Sequence, residues 1–126
     1  MLTACFGGSD SLIGTWYNES EGGYLVFSKS GQFEMLGPDG TSVTPEGASS
    51  TYEAVSEVTP YQLYLRFDID GKSERFPLGI YKIENGKLIL REAAEIHRSL
   101  GGFDMGVVRY EMPSDFSGVV KVFERR

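Results

Sequence analysis

Apolar and polar residues alternate along much of the chain, and the alternation is clearest between positions 61 and 69. That segment reads Tyr-Gln-Leu-Tyr-Leu-Arg-Phe-Asp-Ile, so every second side chain is apolar. Because successive side chains of a strand point to opposite faces, the pattern predicts a strand with one buried and one solvated face. We expect the apolar face of this strand to line the core.

Turn residues divide the rest of the chain into further short strands. Asp70-Gly71 and Asn85-Gly86 are two-residue hairpin signals of the type that needs positive φ, and Ser30-Gly31 predicts another tight hairpin. The polar stretch 41–50 predicts a loop at one end of the fold. The strands predicted between these turns are 14–19, 24–28, 32–36, 51–57, 61–69, 74–84, 87–91, 106–112 and 119–125.

Two segments depart from simple alternation. Residues 92–100 include Ala-Ala-Glu-Ile, which favours helix, and the following Gly101-Gly102 would end it, so we predict a short helical segment that covers one end of the fold. Between 74 and 84 the apolar positions change parity, and one extra residue at Gly79 would restore the register. We therefore predict a β-bulge at Gly79.

The predicted elements define an all-β fold. Eight to nine antiparallel strands with short connections, and no alternation of strands with helices, predict an up-and-down meander closed into a barrel. A chain of 126 residues is one domain by length, and we assign this domain to residues 12–126. Residues 1–11, which are rich in Gly and Ser, are expected to form a flexible tether.

Gly14-Thr15-Trp16 near the start of the domain and Arg125 near its end resemble the short signature of the lipocalin and calycin superfamily. Further similarity, to small bacterial lipocalin-like domains, comes from residues 79–88, 113–116 and 123–125. The resemblance extends over about residues 12–125. It implies a lipocalin-like barrel whose narrow end is plugged by Trp16, with the Arg125 guanidinium over the indole.

A barrel of eight strands has an interior that side chains just fill, or that holds one small ligand. The inward-pointing residues that we take as a candidate ligand site are Phe33, Met35, Tyr52, Leu63, Leu65, Phe67, Phe76 and Leu88. Most of these side chains are bulky. A filled barrel without a pocket is therefore the alternative.

Charge and the single cysteine restrict the partners. The net charge of −6, without a Lys/Arg cluster, predicts no nucleic-acid partner. Leu2-Thr3-Ala4-Cys5 is similar to a bacterial lipobox, which implies lipidation of Cys5 and membrane contact only through that anchor. The expected location is the cell envelope, facing the periplasm or the exterior, with an export signal encoded upstream. The alternative is an incidental thiol.

The sequence contains few residues that indicate catalysis or metal binding. His97 is the only histidine, and it lies between Ile96 and Arg98 in a polar connection, which predicts a solvated loop side chain, so we expect no metal and no cofactor. No nucleophile, base and oxyanion donor can be assembled, so we do not expect an enzyme. We expect a binding module that holds a small apolar ligand in the barrel. The alternative is a protein-interaction or inhibitor scaffold that binds a protein partner through residues 41–50 or 92–103.

Overall fold

The computed structural model describes residues 12–43, 48–69 and 71–126. Ten strands lie in these ranges: β1 (Gly14–Tyr17), β2 (Tyr24–Phe27), β3 (Phe33–Leu36), β4 (Ala48–Val55), β5 (Tyr61–Ile69), β6 (Lys72–Glu84), β7 (Lys87–Glu92), β8 (Ala94–Leu100), β9 (Phe103–Glu111) and β10 (Lys121–Arg125). No helix in this part of the chain is long and apolar enough to cross a membrane.

Eight of the strands form one antiparallel sheet in the order β3-β2-β1-β10-β7-β6-β5-β4. The end strands of this sheet approach each other, because Gln32 forms a bridge with Thr51 and the Tyr52 N–H donates to the Gly31 carbonyl at 3.0 Å. The sheet is therefore nearly closed into a barrel, which confirms the predicted all-β antiparallel architecture. As predicted, the last strand lies beside the first.

The other two strands, β8 and β9, form a separate two-stranded antiparallel sheet, here called the β8–β9 ribbon. The prediction of a helical segment at 92–100 is wrong, because most of this segment is β8. Helix propensities differ by only tenths of a kcal/mol per residue, and pairing with β9 at six positions outweighs them. Gly101 and Gly102, with φ of 59° and 86°, form the turn between the strands rather than a helix end.

The predicted bulge is present in β6. Two consecutive residues of β5, Leu63 and Tyr64, lie opposite Gly79 and Pro77, so Leu78 is the extra residue of the longer strand. A bulge bends its strand and increases the local twist, which helps a sheet to curve into a barrel. The change of parity in the sequence therefore has the structural cause that we predicted.

The structure describes the predicted Asn85-Gly86 turn completely and the predicted Asp70-Gly71 turn only in part. Asn85 and Gly86 have φ of 54° and 76°, which confirms the hairpin between β6 and β7. Asp70 lies outside the described residues, as do residues 44–47 of the predicted loop. β4 begins at Ala48, so the loop is shorter than the prediction of 41–50.

The core lies inside the barrel. Its members share an exposure of 5% or less and pack in one cluster, which consists of Leu12, Trp16, Leu25, Phe27, Phe33, Leu63, Leu65, Tyr81, Leu88, Leu90 and Phe123. Burying one large apolar side chain contributes about 1.5–3 kcal/mol, so this cluster is the main source of stability. The inner face of the barrel is thus largely occupied by the protein's own side chains.

Candidate functional site

The closed end of the barrel is built around Trp16. Arg125 lies opposite Trp16 in the β1–β10 register, and its Cζ is 4.2 Å from the indole ring centroid. The indole N–H donates to the Leu12 carbonyl at 2.8 Å, and the guanidinium donates to the Ile13 carbonyl at 2.7 Å. A Cβ on Gly14 would lie 2.8 Å from Arg125 Nη1, so glycine leaves room for the guanidinium. The predicted contact between Trp16 and Arg125 is confirmed.

The eight residues proposed as an interior ligand site occupy different environments. The packed core contains Phe33, Leu63, Leu65 and Leu88. Partly buried positions next to the core or near the mouth are occupied by Tyr52, Phe67 and Phe76. Met35 is 39% exposed and lies at the open end of the barrel. A ligand role for these residues stays a prediction, and Met35 is the member that lines the pocket described next.

A pocket of about 100 Å³ opens where β7 ends at Glu92 and β10 begins at Lys121, and this end of the barrel is here called the mouth. Its apolar wall consists of Leu25, Met35, Leu78, Leu90 and Phe123. Clefts that bind drug-sized molecules measure about 300–1,000 Å³. This mouth pocket therefore has room for a short apolar group rather than for a whole ligand of that size.

Charged side chains form the rim of the mouth pocket. Lys121 Nζ lies 3.2 Å from Glu21 Oε1 and 3.3 Å from Glu92 Oε2. Partial burial lowers the pKa of Lys121, but the two carboxylates outweigh burial and leave the pKa above its ordinary value. The ammonium group therefore stays charged at neutral pH and is held over the apolar wall.

The β8–β9 ribbon leaves the barrel at the mouth and presents large apolar side chains to solvent. These residues, here called the apolar tip, are Leu100, Phe103, Met105 and Val107, which are 64%, 74%, 58% and 40% exposed. Leu100 and Phe103 are paired across the Gly-Gly turn. At its base the ribbon rests on the barrel, because the Tyr110 ring meets the Phe76 ring edge-on at 5.9 Å.

Polar groups connect the two strands just below the apolar tip. His97 Nδ1 lies 3.0 Å from Asp104 Oδ1, and Nε2 lies 3.2 Å from Glu95 Oε1. The Gly106 N–H donates to Asp104 Oδ1 at 2.8 Å. The hydrogen bonds to Asp104 and then Glu95 raise the pKa of His97, whereas the Gly106 N–H and then His97 lower the pKa of Asp104.

His97 is exposed, as predicted, but it lies on a strand and is paired with two carboxylates rather than free in a loop. Within the described ranges, no group of three or more His, Cys, Asp or Glu residues is arranged to hold a metal ion. The polar cluster of the ribbon consists of hydrogen-bonded charged side chains.

The interaction segment predicted at 92–103 includes Leu100 and Phe103 of the apolar tip but not Met105 and Val107. The available signal was Leu-Gly-Gly-Phe at 100–103, since two glycines between apolar residues indicate a hairpin. Cys5, the predicted lipidation site, lies outside the described residues.

Comparison with models of protein families, with curated proteins and with solved structures finds no significant match for this chain. Its own geometry defines a class of protein. It is an all-β protein with a nearly closed eight-stranded antiparallel barrel. Trp16 fills the closed end of the barrel, and the β8–β9 ribbon with its apolar tip lies at the mouth.

Proposed function

We propose that this protein is a non-enzymatic interaction module, in which a filled barrel supports the β8–β9 ribbon and the ribbon binds a partner protein. The main supporting observation is the exposure of the apolar tip, where Phe103 and Leu100 expose 74% and 64% of their surface. Removing apolar surface from water is favourable by about 25 cal/mol per Å², and exposed apolar patches are typical of interaction sites. Phe103, at the turn, is the natural anchor residue.

A protein groove suits the ribbon better than a lipid surface does. The ribbon has only two strands, so within the described residues the outer edge of each strand has backbone groups outside the ladder. Such groups cost several kcal/mol each in hydrocarbon, whereas a protein partner can hydrogen-bond them. The charges of His97 and Asp104 next to the tip, and the net charge of −6, also oppose insertion into an anionic membrane.

We further propose that Cys5 tethers the barrel to a membrane of the cell envelope, as the lipobox similarity implies. β1 begins with Gly14 at the closed end beside Arg125, whereas the ribbon follows Glu92 at the mouth. A tether at the closed end would direct the apolar tip away from that membrane. Cys5→Ser should move the full-length protein from the membrane fraction to the soluble fraction. A full-length protein that is soluble with Cys5 intact would contradict the anchor.

Photo-crosslinking at the apolar tip tests the interaction. A benzophenone amino acid in place of Phe103 should crosslink to a partner protein in the host cell. The same amino acid at Val119, which is 89% exposed and lies before β10, is the matched control and should not. Leu100→Ser, added to the Phe103 probe, should reduce the yield, because it removes apolar surface paired with the probe.

The outcomes of this experiment distinguish three things that the apolar tip could bind, namely a partner protein, a second copy of this chain and a lipid surface. Equal yields at the Phe103 and Val119 positions would show that the tip has no special affinity and would contradict the proposal. A product that contains two copies of this chain would replace the partner protein with self-association. Phe103-dependent binding to phosphatidylcholine vesicles, without a protein crosslink, would assign a lipid surface instead.

The mouth pocket favours a second function, the lipocalin-like binding of a small apolar ligand. Five apolar side chains line this pocket, and Lys121 at its rim offers a charged group to the polar end of a ligand. A fluorescent probe that carries a short apolar tail should bind by inserting that tail, with roughly micromolar affinity. Met35→Trp should abolish binding by filling the pocket, whereas Phe103→Ser on the ribbon should not. Unchanged probe binding in Met35→Trp would exclude the pocket.

A further inference from the structure

Both ring nitrogens of His97 face carboxylate oxygens. Nδ1 lies within 3.0 Å of Asp104, and Nε2 lies 3.2 Å from Glu95 Oε1. A neutral imidazole has one N–H donor and one acceptor nitrogen, whereas the imidazolium has two donors. In the neutral ring, one of the two contacts would therefore place an acceptor nitrogen against a carboxylate oxygen, which is also an acceptor. Both contacts are favourable only when His97 is protonated.

These contacts lie where the ladder of the ribbon is irregular. The β8–β9 register shifts on both sides of His97, between Ile96 and His97 and between His97 and Ser99. Asp104 is also held by the Gly106 N–H at 2.8 Å, so His97 is linked through Asp104 to the backbone of β9. The turn with Leu100 lies just beyond this point. Side-chain contacts therefore join the two strands where the ladder is irregular.

We propose that His97, Glu95 and Asp104 form a proton-dependent clamp that holds the apolar tip in its ordered conformation when His97 is protonated and releases it when His97 is neutral. This inference rests on the proposed function, because it concerns how the same ribbon is presented to its partner. The clamp would make partner binding stronger in mildly acidic than in mildly basic conditions.

The groups around His97 favour the protonated ring. Its own ribbon contributes Glu95 and Asp104, and the cleft below it is lined on the barrel side by Pro77, Leu78, Glu92 and Ala93, with Tyr110 of β9. The Glu92 carboxylate is paired with Lys121 at 3.3 Å. The charges that face His97 directly are thus the two carboxylates of the clamp.

The pH range follows from the direction of the pKa shifts. Hydrogen bonds to Asp104 and then Glu95 raise the pKa of His97 above the ordinary value of about 6.5. A raised pKa means that the clamp stabilises the ribbon fully below about pH 6.5 and loses this effect as the pH rises through the folded-state pKa. The pKa of Asp104 is lowered, so this carboxylate stays ionised throughout the range.

Nuclear magnetic resonance of the intact protein tests the clamp without any partner. His97 is the only histidine, so its ring signals report one titration. The midpoint should lie above that of an unstructured histidine, and Asp104→Asn should lower it. The Gly106 amide, corrected for intrinsic exchange, should exchange severalfold more slowly at about pH 6 than at about pH 8. His97→Gln, which cannot become charged, should abolish this difference.

An unshifted midpoint, or Gly106 protection that does not change with pH, would overturn the clamp. Crosslinking from the Phe103 position at the same two pH values tests its effect on the partner. A higher yield at the lower pH in the wild-type chain, absent in His97→Gln, would support the regulation. Equal yields at both pH values would overturn the regulation and leave the interaction intact. Crosslinks absent at both values would contradict the proposed function, while the amide measurement would still decide on the clamp.

Discussion

Trp16 is the residue on which the closed end of the barrel depends. Its side chain is fully buried, and its N–H is satisfied by the Leu12 carbonyl. Truncating a buried tryptophan costs about 3–5 kcal/mol, out of the roughly 5–15 kcal/mol that stabilises a typical domain. In chemical denaturation, we therefore expect Trp16→Ala to unfold much of the population, and Arg125→Ala to cost only about 1–2 kcal/mol.

A double-mutant cycle isolates the contact between these two residues. Trp16→Leu retains a large apolar side chain but removes the aromatic face, so with Arg125→Ala it should cost about 0.5–1 kcal/mol less than the sum of the single effects. Arg126 is the control, because its Cζ lies 4.4 Å from the ring centroid of Tyr17 and not over the indole. Trp16→Leu and Arg126→Ala should add. Equal coupling to both arginines would contradict the proposed closing contact.

Tyr81 buries a hydroxyl group inside the barrel. It is 1% exposed, and its Oη has no hydrogen-bond partner among the described residues. Burial, together with Tyr61 and Tyr52, raises the pKa of this hydroxyl. Because an unsatisfied buried polar group costs about 1–3 kcal/mol, Tyr81→Phe should leave the free energy of unfolding unchanged or raise it by about 1 kcal/mol.

Tyr52→Phe provides the comparison for Tyr81→Phe. The Tyr52 hydroxyl donates to the Ser28 carbonyl at 2.8 Å, so removing it should lower the free energy of unfolding by about 1 kcal/mol. Both substitutions delete one oxygen from an aromatic side chain that packs in or against the core. If Tyr81→Phe proved the more destabilising of the two, the hydroxyl of Tyr81 would have to be satisfied in solution.

At the scale of elements, Gly79 lies beside the bulge in β6 and lets the backbones of β6 and β7 approach closely. A Cβ on Gly79 would overlap the carbonyl oxygen of Arg91, which is backbone and cannot rotate away. We expect Gly79→Ala to destabilise the barrel by about 3 kcal/mol or more in denaturant titrations. Gly40→Ala is the control, because Gly40 has φ of 85° but nothing within 4 Å, and it should cost about 1–2 kcal/mol. Similar costs at both positions would exclude the close approach as the cause.

Local signals in the sequence were sufficient for the strands of the barrel. The alternation of Tyr61–Ile69 and the Asn85-Gly86 hairpin depend on neighbouring residues alone, and both are present in the structure. The prediction of a helix at 92–100 was wrong because this segment pairs with β9. For most of β8, the paired residue of β9 lies nine or more positions away in the sequence. A preference of a few tenths of a kcal/mol per residue does not survive that competition.

The candidate sites were harder to predict than the fold. Met35 shares the inner face with Leu25, yet it is 39% exposed because it lies at the mouth and on an end strand of the sheet. The contacts of His97 lie where the register of the ribbon shifts, and sequence spacing does not reveal such shifts. Sites that depend on register shifts or on the end of a barrel require the assembled structure.

For the molecule as a whole, the barrel should fold without the ribbon. Ala94 and Glu111 are paired, so residues 95–110 can be replaced by an Asn-Gly turn without moving their ends. The ribbon's ring contact with the barrel, Tyr110 on Phe76, is worth about 0.5–1.5 kcal/mol beyond its buried area. We expect a thermal midpoint lower by no more than about 10 °C in calorimetry, and no crosslinking activity.

Phe123→Ala is the comparison for the shortened protein. Phe123 is 4% exposed in the core, so its truncation should cost about 3–5 kcal/mol and lower the thermal midpoint further than removal of the whole ribbon does. A ribbon-free protein that fails to fold would show that the ribbon belongs to the structural unit of the barrel rather than being presented by it.

The position of β10 within the sheet determines when the barrel can close during synthesis. β1 to β3 lie on one side of β10 and β4 to β7 lie on the other, so this strand, which is made after the other seven of its sheet, fills the place between β1 and β7. On the ribosome, the edges of β1 and β7 therefore stay unpaired, and the barrel stays open, until Lys121–Arg125 emerges. The Arg125 hydrogen bond to Ile13, across 112 positions, is among the last to form. A premature stop codon at Lys121 would thus release an aggregation-prone open sheet with two unpaired edges rather than a slightly shorter barrel.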